Sequence, residues 1–204
     1  MRELEERLGG PAAGPSPARR DGLRARLLAR AESEGLIDLA YERHDSPFGT
    51  LLIVAGHSGI LRIALAAEPE DEVLAGLAGR VSPRIARMGR AGITDARAQL
   101  DDYFAGSLRR FDLRLDWQLT RGFRRDVLRQ TSAIPYGSTA SYSEMAARAG
   151  RPKAVRAAGS ALAKNPLPIV VPCHRVLRSD GSVGSYLGGS AMKSALLELE
   201  ARAR

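Results

Sequence analysis

The stretch "LPIVVPCHRVLRSDGSVGSYLGG", Leu167 to Gly189, holds Cys173, the only cysteine in a chain of 204 residues. The run Pro-Ile-Val-Val ahead of it predicts a buried extended segment. Pro172 biases Val171 toward extended backbone and fixes its own φ. The thiol is therefore expected to sit rigidly at the end of a buried segment. A thiol with a pKa of about 8.5 needs help to react at neutral pH. His174 and Arg175 are the adjacent candidates. An imidazole can remove the proton, and a cation can stabilise the thiolate. Consecutive side chains of an extended segment point opposite ways. A bend or a bridging water is then needed to connect Cys173 with His174. A carboxylate would complete such a relay, and Asp180, Glu198 and Glu200 are the nearby choices. A lone cysteine is otherwise a small buried hydrophobe.

Composition narrows the classes. A single cysteine excludes an internal disulfide and a multi-cysteine zinc site. His44, His57 and His174 are scattered without HxxxH or HExxH spacing, so no metal is expected, and His44 and His57 beside turns read as solvated or structural. A free thiol fits a reducing compartment, the cytoplasm. No apolar stretch is long enough for a bilayer, and "MRELEERLGGPAAG" lacks the apolar core of a signal peptide. The 31 Lys+Arg against 23 Asp+Glu give +8, and Lys153, Lys164 and Lys193 are the only lysines. Guanidinium-rich surfaces suit phosphate, though a solvated basic face has the same composition.

Working outward, residues 1–36 read as an extension. "LGGPAAGPSPARRDG" has a disordered composition, and a short helix starts at Leu23 and stops at Gly35. Three antiparallel strands are expected at about 37–43, 50–55 and 60–66, divided by turns at Ser46–Gly49 and Gly56–Gly59. "EPEDEVLAGLAGRV" reads as a helix with acids in its first turn. A second helix is expected from a Thr94 N-cap to Gly106. "RRFDLRLDW" reads as a strand or an extended linker. From Thr120 the pattern is helical. Ser141 with Glu144 forms a capping-box pattern, and Pro152 is placed at the first position of the next helix. These two helices, joined through "AGRP", resemble a helix-turn-helix. The second has a thin coat of Ala154, Ala157, Ala158, Gly159, Ser160, Ala161 and Ala163, with Lys153, Arg156 and Lys164 among them. Tight packing in the domain or close approach to another backbone would both explain it.

The segment "NPLPIVVPCHRV", Asn165 to Val176, followed by "GSVGSYLGG", closely resembles the active-site region of the O6-alkylguanine-DNA alkyltransferases, the methylated-DNA–protein-cysteine methyltransferases. The resemblance runs from about Phe123 to Glu200 through "PYGSTASYSEMAARAG" and "PKAVRAAGSALAKNP". It continues more weakly through residues 37–117, in "DSPFGTLLIVAGHSGILRI" and "ARAQLDDYFAG". It implies an α/β fold: an N-terminal ribonuclease-H-like antiparallel sheet domain, 37–117, and a C-terminal helical, winged-helix-like DNA-binding domain, 118–204.

The resemblance also assigns roles. Cys173 matches the alkyl acceptor, His174 its water-linked base, Glu200 the carboxylate orienting that histidine, and Asn165 the residue bridging the helix-turn-helix to the active-site segment. Tyr142, Tyr186, Lys193 and the Val176 carbonyl match the guanine pocket. Arg156 matches the arginine that replaces the extruded base. Ala157 and Gly159 share its slender helix, and Lys153 and Lys164 would hold phosphates. Leu187 departs from the small residue often found at its position, a change that would narrow tolerance for bulky O6 substituents or shift the loop. The four-cysteine zinc module of the adaptive-response relatives is absent. The implied activity is direct reversal of O6-alkylguanine, and O4-alkylthymine, in duplex DNA bound through the minor groove. It proceeds by base flipping and one irreversible transfer per molecule, with no cofactor, no metal and no membrane, by a monomer. A non-catalytic lesion-binding protein is the alternative, which the presence of Cys173 disfavours. A cysteine hydrolase or redox sensor would leave the Arg156 helix unexplained.

Overall fold

Alternation along one strand organises the first half of the molecule. In β2 (Gly49–Gly56), Leu51, Ile53 and Ala55 belong to one core, Leu52 and Val54 to another, and all are buried. Successive strand residues face opposite sides, so a strand apolar at every position must be covered on both. The computed structural model describes residues 16–202. In it β2 lies between β1 (Leu39–Ser46) and β3 (Gly59–Ala64), antiparallel to each, with hairpins closing at Ser46–Gly49 and Gly56–Gly59 as expected. Gly59 has φ +139°, and a Cβ there would lie 2.2 Å from the Arg114 carbonyl oxygen, so no other residue fits.

Helix α2 (Glu70–Arg80) supplies Leu77 to one core. Helix α3 (Ala91–Phe104) supplies Ile93, Ala96, Leu100 and Tyr103 to the other, at helical spacing.

The structure corrects several expectations. The sheet is mixed: β4 (Ile85–Arg87) pairs parallel with β1, giving the order β3-β2-β1-β4. Three residues are too short to show a period. Helix α3 starts at Ala91, not beyond Thr94, whose hydroxyl reaches back to the Arg90 carbonyl at 3.5 Å. Threonine can bond the carbonyl four residues back instead of capping. The segment "RRFDLRLDW" is an extended linker with one bridge, Leu115 to Ile60. Helix α1 (Pro17–Ser33) begins before Leu23, because Ser16 caps it and Pro17 occupies its first turn. The rest of the stretch read as disordered, residues 8–15, lies outside the described residues.

In the second half, α4 (Gly122–Ser132), α5 (Tyr142–Arg148) and α6 (Val155–Ala163) pack together around Val127, Leu128, Met145, Ala158 and Leu162. The capping box forms: the Glu144 N–H donates to Ser141 Oγ at 3.1 Å and the Ser141 N–H to Glu144 Oε2 at 2.6 Å. Pro152 does not open α6. Ala154 is the N-cap, so Pro152 and Lys153 lie in the preceding turn, and Lys164 is the C-cap. β5 (Ala140–Ser141) pairs parallel with β6 (Val176–Leu177), and α7 (Gly189–Arg202) follows. From Asp38 onward the described chain is one compact unit. Arg62 of β3 helps join its halves, donating to the Pro166 carbonyl at 3.1 Å and pairing with Glu68.

Candidate active site

The approach to Cys173 is buried, as expected, but it is not extended. Asn165 Oδ1 accepts the Leu167 N–H at 3.0 Å, and the Val171 N–H returns to the Leu167 carbonyl at 2.8 Å. Ile169 within this loop has φ +72°, a costly conformation for a β-branched residue. Pro172 (φ −79°, ψ 65°) centres an inverse γ-turn, closed by the Cys173 N–H on the Val171 carbonyl at 2.8 Å. Cys173–Arg175 then form a 3₁₀ turn. Two prolines so close together leave the β-branched residues in successive turns. The bend demanded by the sequence is therefore present.

Cys173 is 5% exposed. Burial pushes its thiol up to about 11, although the Asn165 N–H and the Lys193 ammonium pull the other way. Asn165 Nδ2 donates to the sulfur at 3.1 Å and to the Val171 carbonyl at 2.8 Å. His174 is fully buried, its Nε2 lying 2.8 Å from Glu200 Oε1, while Nδ1 has no hydrogen-bond partner among the described residues. Burial lowers the imidazole's pKa, partly offset by Glu200. Burial alone would raise Glu200, but hydrogen bonds and charge from His174 and Arg175 outweigh it and bring the carboxyl to about 2. An ionised Glu200 makes Nε2 the donor and leaves the lone pair on Nδ1.

Of the three candidate carboxylates, Glu200 alone meets His174; Asp180 caps Ser182, and Glu198 is 3.9 Å from Arg202. Arg175 does not serve the thiol. It grips Glu200 through Nε and Nη2 and donates to the Ile134 carbonyl at 2.6 Å. Two residues at the site escaped sequence reasoning. Tyr103 donates to Glu200 Oε1 at 2.7 Å, and Arg62 holds the backbone at Asn165 and Pro166. The helical register of Tyr103 with Ile93 and Leu100 marks it as core, and a buried phenol needs a partner.

Lys193 is buried on α7; its Nζ donates to the Val176 carbonyl at 2.5 Å and sits 5.8 Å from the centre of the Tyr142 ring. A cleft of about 610 Å³ runs between α6, with Arg156 and Gly159, and the loop of Arg178 and Gly184. Tyr142 lines it and Cys173 does not. Burial, and then the nearby Cys173, raise the Tyr142 phenol. A Cβ on Gly184 would lie 2.5 Å from the Tyr142 hydroxyl, so the loop's close approach requires glycine. Tyr186 faces His174 edge-on at 6.4 Å, and its buried hydroxyl has no partner among the described residues. Leu187 instead lines a separate groove of about 530 Å³ with Arg62, Glu68 and Lys164. Lys153, Arg156, Ala157 and Lys164 are exposed around α6. His44 is buried 3.2 Å from Asp101, and His57 is exposed. Among the described residues no His, Cys, Asp and Glu cluster could hold a metal, and no helix is long and apolar enough to cross a membrane.

Comparison with known proteins accords with this geometry. A family model described as the ribonuclease-like domain of 6-O-methylguanine DNA methyltransferase matches residues 39–117, and one for its DNA binding domain matches residues 122–202. A methylated-DNA–protein-cysteine methyltransferase of Mycobacterium leprae is 40% identical over 157 residues, 76% of this chain and 88% of the relative. One from Methanosarcina barkeri is 35% identical over 160 residues, 78% of this chain and 96% of the relative. The crystal structure of Mycobacterium tuberculosis OGT in complex with DNA superposes with a TM-score of 0.67 at 37% identity, covering 80% of this chain and 94% of that one.

Proposed function

Since the chain belongs to the 6-O-methylguanine DNA methyltransferase family, a family of DNA alkyl repair, we propose that it takes the alkyl group of O6-alkylguanine, and of O4-alkylthymine, from duplex DNA onto its own Cys173, once per molecule. The observation carrying this reading is the relay beside the thiol. Glu200 fixes Nε2 of His174 as a donor, so Nδ1 keeps its lone pair.

A thiol raised to about 11 is mostly protonated at neutral pH and must lose its proton during reaction. The proton passes through a bridging water to His174 Nδ1, and Glu200 stabilises the imidazolium. The Asn165 amide and Lys193 stabilise the thiolate. Sulfur attacks the alkyl carbon, the C–O6 bond breaks, and its electron pair leaves with guanine. Tyr142 or Lys193 supplies the proton or hydrogen bond that the leaving base needs. The product is a thioether, which water does not cleave, so the molecule acts once and needs no cofactor.

A guanine stacked in a duplex cannot reach a buried thiol, and flipping it costs a few kcal/mol. The small exposed side chains of α6 allow close approach to the minor groove, and Arg156 fills the gap in the stack. Lys153 and Lys164 hold phosphates without reading sequence. Tyr142, Tyr186 and the Val176 carbonyl border the base. We assign residues 37–117 and 118–204 as the two domains, 1–36 as an extension, a monomer as the working unit and the cytoplasm as its location.

Intact mass after incubation with duplex DNA containing O6-methylguanine tests the reading. Wild-type protein should gain one methyl group, on Cys173, and Cys173→Ser none. A folded wild-type protein that stays unmodified would refute it.

A further inference from the structure

Tyr103 belongs to α3, which covers the sheet, yet its hydroxyl ends inside the relay. Its Oη donates to Glu200 Oε1 at 2.7 Å and lies 3.4 Å from His174 Nε2. The ring is held edge-on by Phe104 and Tyr136, with centroids at 5.6 and 6.1 Å, and tilted against Phe111 at 5.3 Å. With 1% exposure it has no freedom to turn toward solvent. We propose that Tyr103 is a positioning residue of the alkyl-transfer site: its hydroxyl shares Glu200 Oε1 with His174 and so keeps the imidazole neutral, ready to accept the thiol proton. The inference rests on the reading of His174 as the base for Cys173.

The argument is one of shared charge. Oε1 accepts from Tyr103, His174 and Arg175, while Oε2 accepts from the Gly137 N–H and Arg175. Every donor to a carboxylate reduces what it can offer the next, and a hydrogen bond to the charged form favours that form. Removing the phenol proton from Oε1 concentrates charge opposite Nε2 and stabilises an imidazolium. A histidine already protonated cannot act as a base. The other groups facing this pair are Cys173 and Arg175 on the turn, Tyr136 ahead of β5, Tyr186 on the loop and Lys193 on α7. Arg175 and Lys193 also disfavour the imidazolium, and a Cys173 thiolate favours it. Tyr103 differs in being a neutral donor on the very oxygen that His174 uses. Tyr103→Phe therefore removes one hydrogen bond, changes no charge and keeps the ring.

The test uses the full chain. In unreacted protein, the ring nitrogens of His174 are followed by NMR against pH. In Tyr103→Phe their titration midpoint should rise by about 0.5–1 pH unit, the size of a single hydrogen bond's contribution. The acid limb of Cys173 alkylation by free O6-benzylguanine should rise with it. Placing 3-fluorotyrosine at position 103, whose hydroxyl is a stronger donor, should move the midpoint downward and serves if the Phe variant folds poorly. An unmoved midpoint in a folded variant overturns the proposal, as does a rate lowered equally at every pH, which marks a purely structural role. A midpoint that moves without the acid limb overturns it too, by removing His174 from the rate. Failure of the underlying reading looks different: wild-type protein would then take no alkyl group at all.

Discussion

Glu200 and Arg156 carry opposite charges in opposite surroundings. Glu200 is 1% exposed and accepts hydrogen bonds from Tyr103, Gly137, His174 and Arg175. Arg156 stands exposed on α6, and among the described residues its guanidinium has no hydrogen bond or ion pair. A buried charge persists only where named partners offset its desolvation. An exposed one costs nothing to maintain and remains available to a partner outside the chain. The interior should therefore fail as a unit when one member changes. The α6 face should lose function in increments with the fold intact.

The sharpest way to break this comparison is Glu200→Gln. It leaves the Arg175 guanidinium buried against a neutral amide, and breaking a buried pair costs about 3–5 kcal/mol. Urea denaturation of the unreacted protein should show a loss of that size, and alkyl transfer to free O6-benzylguanine should fall with it. Arg156→Ala should stay within about 0.5 kcal/mol of wild type, as surface changes do. Equal losses in the two variants would show that exposure does not separate their roles.

Arg156→Ala sharpens the same contrast from the other side. If Arg156 fills the stack, its removal leaves the cost of extruding the base without an offset. Repair of O6-methylguanine in duplex DNA should slow on the order of tenfold or more, since each 1.36 kcal/mol of a barrier of this kind is a factor of ten. Reaction with free O6-benzylguanine, which needs no flipping, should change far less. Single-turnover rates on the two substrates check it, and matched losses would remove Arg156 from base extrusion.

Legibility from sequence follows the same division. The hairpins were readable because Ser-Pro-Phe-Gly and Gly-His-Ser-Gly interrupt apolar runs, and the Ser141–Glu144 box because it is local chemistry. The thiol and its histidine were readable as neighbours in a distinctive motif. Glu200 was reached only by resemblance, because 26 residues separate it from His174 and spacing cannot choose among three carboxylates. Arg175 was misread as a partner for the thiol, since the turn that aims it at Glu200 leaves no mark in the sequence. β-branched residues between Pro168 and Pro172 suggested a strand, but the two prolines leave them in successive turns. Tyr103 and Arg62 were invisible for a related reason: each acts across the fold, 97 and 104 residues from the atoms it holds.

The smallest expected effect lies at the two ends of α6. Lys153 precedes its N-cap and Lys164 is its C-cap, and both are exposed. If each neutralises one phosphate, binding to duplex DNA should weaken in Lys153→Gln and Lys164→Gln alike, irrespective of sequence. The slope of log affinity against log salt should become shallower by about 1 per lysine. The two variants should still differ slightly in stability. A cation in the last turn of a helix is stabilising by about 0.3–1 kcal/mol, whereas one before the first turn opposes the dipole. Lys164→Gln should thus lose a few tenths of a kcal/mol (on the order set by that dipole term), and Lys153→Gln should lose none. Fluorescence anisotropy across a salt series, paired with urea melts, separates the two contributions. A sequence-dependent loss at either lysine would make it a reader of bases, and the α6 face would no longer be a surface that works by the number of its charges.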